Sequence, residues 1–386
     1  MRKAKRYTDR RRSARNSMRL RLRPHGRALA LVMIGLIGSS CTSSDSTSRT
    51  VSAAPTTSKP QSVTTASRAT SSASSSNPAA PTSGTDHNQG WIVFHGKGSA
   101  LRMIRPDGSE LHDVFPGESI VAHHPDMSPD GNSAAYASDA ADGTTDIWIA
   151  ERDPSSNTWI ASRDSNKRRR LVDCQKPCGF AEEPAWSPDG TKIAYTASGD
   201  GQPQFIKIVD SRTGEVTLTV PAPSELDGPI QPRWSPDGRH LAVEDGQFKA
   251  DAATLADNSI GIIDLTVASP SIHLITPPGM MAGYPGWSPT GDIIVFQAGN
   301  LDPLRHRGTP MNLYTIRPDG TALMQITHAG PDDPWFMMPT WTTSGGPILV
   351  TLIPPNFDLT IATMNPDGSG LTSLASGAHP RFTEIG

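Results

Sequence analysis

Pro184-Ala185-Trp186-Ser187-Pro188-Asp189-Gly190 recurs as Pro232-Arg233-Trp234-Ser235-Pro236-Asp237-Gly238 and as Pro285-Gly286-Trp287-Ser288-Pro289-Thr290-Gly291. Weaker copies flank these three. Pro125-Asp126-Met127-Ser128-Pro129-Asp130-Gly131 has Met for Trp, Pro339-Thr340-Trp341-Thr342-Thr343-Ser344-Gly345 lacks the second Pro, and Pro380-Arg381-Phe382 runs to the end of the chain. The anchors at 127, 186, 234, 287, 341 and 382 are 59, 48, 53, 54 and 41 residues apart, the period of propeller blades rather than of helical solenoids. Short apolar segments follow each anchor, such as Ile193-Ala194-Tyr195 and Leu313-Tyr314-Thr315-Ile316, and no stretch sustains a helical period. Six four-stranded β-units are predicted.

The sixth unit is split. Pro380-Arg381-Phe382 supplies an innermost strand, and the other three are expected at the start of the domain, in Trp91-Ile92-Val93-Phe94, Leu101 to Ile104 and Leu111 to Phe115. Pairing the two ends closes the ring and removes the exposed edges of an open array. The repeat resembles that of TolB-like β-propellers, a WD-like family, and the resemblance implies an all-β, six-bladed propeller over residues 91–386. TolB itself carries an additional N-terminal α/β domain where this chain has a Ser/Thr-rich segment, so no functional residues are carried over. Some peptidases join a similar propeller to an α/β-hydrolase domain, but no Gly-x-Ser-x-Gly elbow is present here.

The first 27 residues hold twelve Lys or Arg against one acid, Asp9, and an apolar run, Ala28 to Ile37, leads to Gly38-Ser39-Ser40-Cys41. This is the layout of a signal peptide over residues 1–40, and the run is too short for the ~20 residues of a membrane span. Met18 offers a second start with an n-region of ordinary length. Cys41 resembles a lipobox cysteine, with Gly38 where Leu is usual, so lipidation and plain cleavage are both open. Residues 41–90 are mostly Ser, Thr, Ala and Pro, a composition that cannot offset the entropy of ordering and that suits a tether reaching on the order of 40 Å. The expected location is the outer face of a bacterial cell membrane.

Residues 1–40 carry twelve positive charges and one negative, so the net charge of −3 for the whole chain becomes −14 without them. That argues against nucleic acid as a partner. In an oxidising compartment Cys174 and Cys178 are expected to form a local disulfide.

In a four-stranded antiparallel blade the first-to-second and third-to-fourth connections share one face of the disc. The Pro-Asp-Gly turns fall there, and their aspartates read as structural. Longer connections fall on the other face: Val172 to Glu183, Asp245 to Asn258, Gly299 to Met311, and Thr327 to Met338 with an apolar tip at Trp335, Phe336, Met337 and Met338. Binding is expected on that face. The residue before each repeat Pro, namely His124, Glu183, Gln231, Tyr284, Met338 and His379, should line the channel mouth once per blade.

His124, His379 and Glu183 have donor types that suit Zn²⁺ or Mn²⁺. The plainer expectation is a polar, water-filled channel mouth with no cofactor. The leading functional expectation is a monomeric, non-enzymatic binding or scaffolding propeller that engages an envelope protein or cell-wall ligand. The alternative is a metal-dependent carbohydrate-active enzyme, since some uronate lyases resemble this repeat.

Overall fold

The computed structural model describes residues 90–97, 100–115, 120–152, 168–199, 203–223, 228–246, 258–299, 310–342 and 346–383. The expected signal peptide, Cys41 and the tether lie outside the described residues. Twenty-three strands form among them. Three come first, β1 (Trp91–Gly96), β2 (Leu101–Ile104) and β3 (His112–Asp113). Blade one is β4 (His123–Met127), β5 (Ser133–Asp139), β6 (Thr145–Glu151) and β7 (Arg168–Val172). Blade two is β8 (Cys178–Trp186), β9 (Lys192–Gly199), β10 (Gln204–Asp210) and β11 (Val216–Val220). Blade three is β12 (Gly228–Trp234), β13 (His240–Gly246), β14 (Ser259–Asp264) and β15 (Ile272–Leu274). Blade four is β16 (Gly283–Trp287), β17 (Ile294–Ala298), β18 (Asn312–Ile316) and β19 (Met324–Gln325). Blade five begins with β20 (Trp335–Trp341), β21 (Ile348–Ile353) and β22 (Thr360–Met364), and ends on β23 (Thr372–Thr383).

β23 serves two blades. Its first part pairs with β22, from Thr363↔Thr372 to Thr360↔Ser376, and its last part pairs with β1, from Gly96↔Gly377 to Trp91↔Thr383. Blade six is therefore the end of β23 followed by β1, β2 and β3, the split unit expected from the sequence. The crossover needs Gly377, because a Cβ there would lie 2.5 Å from the Phe94 ring. The inner strands touch cyclically, β4 to β8, β12, β16, β20, β23 and back to β4. The ring is closed.

Each blade junction has its own hydrophobic core. Trp91, Met103, Met127 and Tyr136 join blades six and one, while Ile147, Ile149, Ile193 and Tyr195 join one and two. Successive residues of a second strand serve opposite junctions: Ile193 and Tyr195 face blade one, and Ala194 packs toward blade three with Ile206 and Leu241. Strands buried on both faces read as continuous apolar runs rather than as alternation, which is how these segments look in the sequence.

The repeat motif has two structural jobs. In the turn, the Ser187 hydroxyl donates to Asp189 at 2.5 Å, Asp189 accepts from the Thr191 amide at 3.0 Å, and the Gly190 amide donates to the Ser187 carbonyl at 2.9 Å. Asp237 repeats the arrangement with Ser235 and Arg239. In both, the hydroxyl bond leads the lowering of the aspartate pKa. At the anchor, the Trp234 indole donates to the Ala185 carbonyl and the Trp287 indole to the Arg233 carbonyl, each at 3.0 Å. At these two anchors Trp bonds its inner strand to the one before it.

Three loop expectations change. Cys178 to Glu183 and Trp335 to Met338 lie on the inner strands β8 and β20, not in loops. Trp335 pairs with Ile353 and Phe336 with Leu352, and Phe336 packs on the core between blades four and five. The expected apolar loop tip is a half-buried strand end, because β21 is long enough to pair with it. The turn face is also not uniformly tight, since the connection from β6 to β7 runs over some fifteen residues, mostly outside the described residues.

Cys174 and Cys178 form a disulfide, and Asp146 accepts from the Cys174 amide at 2.8 Å. Asp139, Asp142 and Asp146 belong to the β5–β6 hairpin, where Asp142 caps Thr144. Arg170 bridges Asp146 at 3.3 Å and Asp173 at 3.0 Å, so the basic outer strand is partly neutralised. Cys174→Ser with Cys178→Ser is expected to cost at most ~2 kcal/mol, because so short a closed loop removes little entropy from the unfolded chain. A shift of the urea midpoint corresponding to more than twice that would show that the bridge holds more than its own loop.

Candidate functional site

The six residues that precede the repeat prolines share one unusual conformation. His124, Glu183, Gln231, Tyr284, Met338 and His379 have φ between 51° and 57°, a left-handed region that costs a non-glycine residue of order 1 kcal/mol or more. At each of them the pairing of inner and second strand slips, as between His123 and Asp126 or between Glu182 and Ala185. These are β-bulges, one per blade. A bulge turns the backbone amide out of its own sheet, and at Gln231, Tyr284, Met338 and His379 a side chain of the preceding blade receives it.

Four of the receiving groups, on Thr196, Glu244, Gln297 and Thr351, occupy one register on the second strands, and two more, on Glu183 and Gln231, belong to bulge residues themselves. Thr196 Oγ1 and Glu183 Oε2 accept from the Gln231 amide at 3.0 and 2.8 Å. Gln231 Oε1 and Glu244 Oε2 accept from the Tyr284 amide at 3.0 and 3.3 Å, and Gln297 Oε1 accepts from the Met338 amide at 2.8 Å. Thr351 Oγ1 accepts from the His379 amide at 3.1 Å. Hydrogen bonds running from blade to blade offset the strain of the bulges and set the ring rigidly around the axis.

The expected channel residues are thus brought together, although most sit deeper than a mouth. His124, Glu183, Gln231, Met338 and His379 are buried, and Tyr284 is half-buried. His124 and His379 pack edge to face with centroids 4.8 Å apart, His123 lies 5.4 Å from His124, and Tyr284 lies 5.6 Å from His379. Cys174 and Cys178 are at the periphery, bonded to each other.

The sequence reading missed a second set: His95, His123, Glu244, Gln297, Thr196, Thr351, Asp126, Arg233 and Arg381. One signal was present. His95, Ala137, Thr196, Glu244, Gln297 and Thr351 each follow a run of three or four apolar residues in the second strand, and five of the six are polar where a buried strand should stay apolar. Asp126, Ala185, Arg233, Gly286, Thr340 and Arg381 each follow the bulge Pro.

Burial dominates the electrostatics. It pushes His95 down to about 4 and His379 to about 3, neighbouring histidines adding to the effect. His124 is lowered well below its usual range by burial and then by His379, and His123 is lowered by burial against the opposing pull of Asp139. Burial raises Glu244 to about 8, with the Glu183 charge adding, and raises Glu183 itself. Asp126 rises to about 6 by burial, against the pull of Arg233. At neutral pH the imidazoles and Glu244 are mainly uncharged, and Arg233 is charged beside an Asp126 that is mainly ionised.

Among the described residues no three or more His, Cys, Asp or Glu side chains converge as ligands of a metal ion. Glu183, expected to join His124 and His379, instead accepts from the Thr196 hydroxyl at 2.8 Å and from the Gln231 amide. A carboxylate that faces blade three is turned away from two imidazoles of blades one and six. On the turn face, a cavity of about 670 Å³ lies between blades three and four, lined by Asp237, His240, Trp287 and Asp319 among others.

The architecture is that of a TolB-like six-bladed β-propeller. The putative TolB of Agrobacterium tumefaciens superposes with a TM-score of 0.54 at 17% identity, over 75% of this chain and 91% of that one. TolB from Acinetobacter baumannii gives 0.54 at 17% identity, over 76% and 66%. A curated relative, "Uncharacterized peptidase YuxL" of Bacillus subtilis, is 24% identical over 224 residues, 50% of this chain and 31% of the relative. The match thus spans about a third of that relative's length. No family model matches the chain.

Proposed function

We propose that this chain is a non-enzymatic binding or scaffolding propeller, exported and held at the outer face of a bacterial cell membrane through Cys41. It engages an envelope protein or cell-wall ligand through the face that carries the second-to-third and fourth-to-first connections. The observation behind this reading is the ring of six bulges, four of them locked by hydrogen bonds between blades. A set of side chains fixed on a rigid scaffold loses little entropy on binding, the condition for affinity from few contacts.

Two exposed residues distinguish the faces. Phe357, between β21 and β22, is 52% exposed on the proposed face, and Leu371, between β22 and β23, is 44% exposed on the turn face. With a photo-crosslinking residue at one or the other position of the full chain in its native cells, one discrete adduct is expected from 357 and none from 371. Equal adducts from both positions, or a discrete adduct from 371 alone, would contradict the reading.

A further inference from the structure

The six blade junctions are not equivalent. Thr196, Glu244, Gln297 and Thr351 each receive a bulge amide of the next blade, whereas the same register holds His95 at the junction of blades six and one and Ala137 at that of one and two. Ala137 has no polar atom to offer, and His95 leaves Nε2 buried without a hydrogen-bond partner. On the same side of the ring, His124 Nδ1 and Arg381 Nε are also buried and unpartnered. These three residues are only 4%, 8% and 6% exposed. A buried polar atom without a partner destabilises the fold, and here three such atoms gather where the lattice between blades is left open.

Arg233 faces this sector from the opposite side. Blade three lies across the ring from blade six, and Arg233 and Arg381 hold the same register, each donating Nη1 to the carbonyl of the Pro before it, at 2.7 and 2.9 Å. Arg233 comes close enough for its charge to act on Asp126, Glu183, Tyr284, His124 and His379. No carboxylate among the described residues is within ion-pair distance of it. Asp126 directs Oδ2 to the Trp186 amide at 2.7 Å, and Glu183 is engaged as described. The other four positions of this register hold Asp126, Ala185, Gly286 and Thr340, so Arg233 and Arg381 are its two cations.

From this arrangement we propose that the channel binds a small carboxylate-bearing molecule, with Arg233 and Arg381 as its cationic arms and the unpartnered ring nitrogens of His95 and His124 as further hydrogen-bond partners. A planar guanidinium fork matches a carboxylate in geometry and charge. The neutral histidines supply directed hydrogen bonds without further charge. The acids Glu183 and Asp126 nearby disfavour a phosphate dianion more than a carboxylate. The inference deepens the binding reading and rests on it, naming the chemistry at the same ring.

Calorimetric titration of the purified full chain at pH 7 with acetate, succinate and inorganic phosphate tests it. Saturable binding of acetate or succinate is expected, tighter than that of phosphate. Arg233→Met should weaken it at least tenfold, and Arg233→Lys, which keeps the charge and loses the fork, by several-fold. Arg212→Met, in an exposed turn, should leave it unchanged. Absence of saturable carboxylate binding, tighter binding of phosphate, or equal binding by Arg233→Lys and the parent would overturn the proposal. If Arg233→Met does not fold, Arg233→Lys carries the comparison. The titration needs no partner protein, so its failure is separable from failure of the crosslinking experiment, which reads only the face used in cells.

Discussion

Deletion of residues 377–386 is expected to abolish the cooperative thermal transition of the domain. The lost segment pairs with β1 from Trp91↔Thr383 to Gly96↔Gly377. It also carries the buried residues Ala378, His379 and Arg381. Without it, Ile92, Val93 and Phe94, all fully buried, sit on an open edge of a sheet, a template for aggregation. Each large apolar side chain returned to water costs ~1.5–3 kcal/mol, so three or four together approach the ~5–15 kcal/mol by which a domain is stable. The closure model makes a second demand: a synthetic peptide of residues 376–386 added in trans should restore part of the transition. A truncated chain that melts cooperatively at the parent temperature would show that the ring is closed by something else.

That prediction was accessible from the sequence because the evidence for closure is a matter of counting. Six anchors at blade spacing and a sixth unit with one strand at the end of the chain require the missing three at the start. Tight turns were equally legible, since Pro, Asp and Gly report local backbone geometry. Loop lengths on the opposite face were not. Cys178 to Glu183 and Trp335 to Met338 form strands only because β9 and β21 extend far enough to pair with them, and the reach of a partner strand is a tertiary property. The candidate site was half legible. Position relative to the repeat Pro singled out the six bulge residues, yet their left-handed conformation and the acceptors from neighbouring blades depend on how blades dock. Glu183 shows the consequence: its type suited a metal, while its neighbours Thr196 and the Gln231 amide had already engaged it.

The same buried ring should make stability depend on pH in both directions. His95 and His379 have folded pKa values of about 4 and about 3 against 6.5 when free, so between those values the unfolded chain binds more protons than the folded one. Stability is then lost as pH falls from 6.5 toward 3, and His123 and His124, lowered in the same sense, add to the loss. Each pKa unit is worth ~1.4 kcal/mol, so the shifts of His95 and His379 alone are comparable with the ~5–15 kcal/mol by which a domain is stable. Glu244, at about 8 against 4.5, and Asp126, at about 6 against 3.8, act the other way. The folded chain holds their protons longer, and stability falls as pH rises through those windows. The melting temperature is expected to peak near neutrality, to decline modestly toward pH 9 and to collapse below pH 5. His95→Gln should flatten the acid limb and leave the alkaline limb in place, while Glu244→Gln should remove the decline between pH 6.5 and 8 and steepen the limb between pH 4.5 and 6.5. The histidines of blades six and one sit at the seam between the ends of the chain, so protonation should open the ring there first. Hydrogen exchange at pH 4.5 should therefore show β1 and the end of β23 losing protection before β9 and β13, and uniform loss across all six blades would rule out the seam as the weak point.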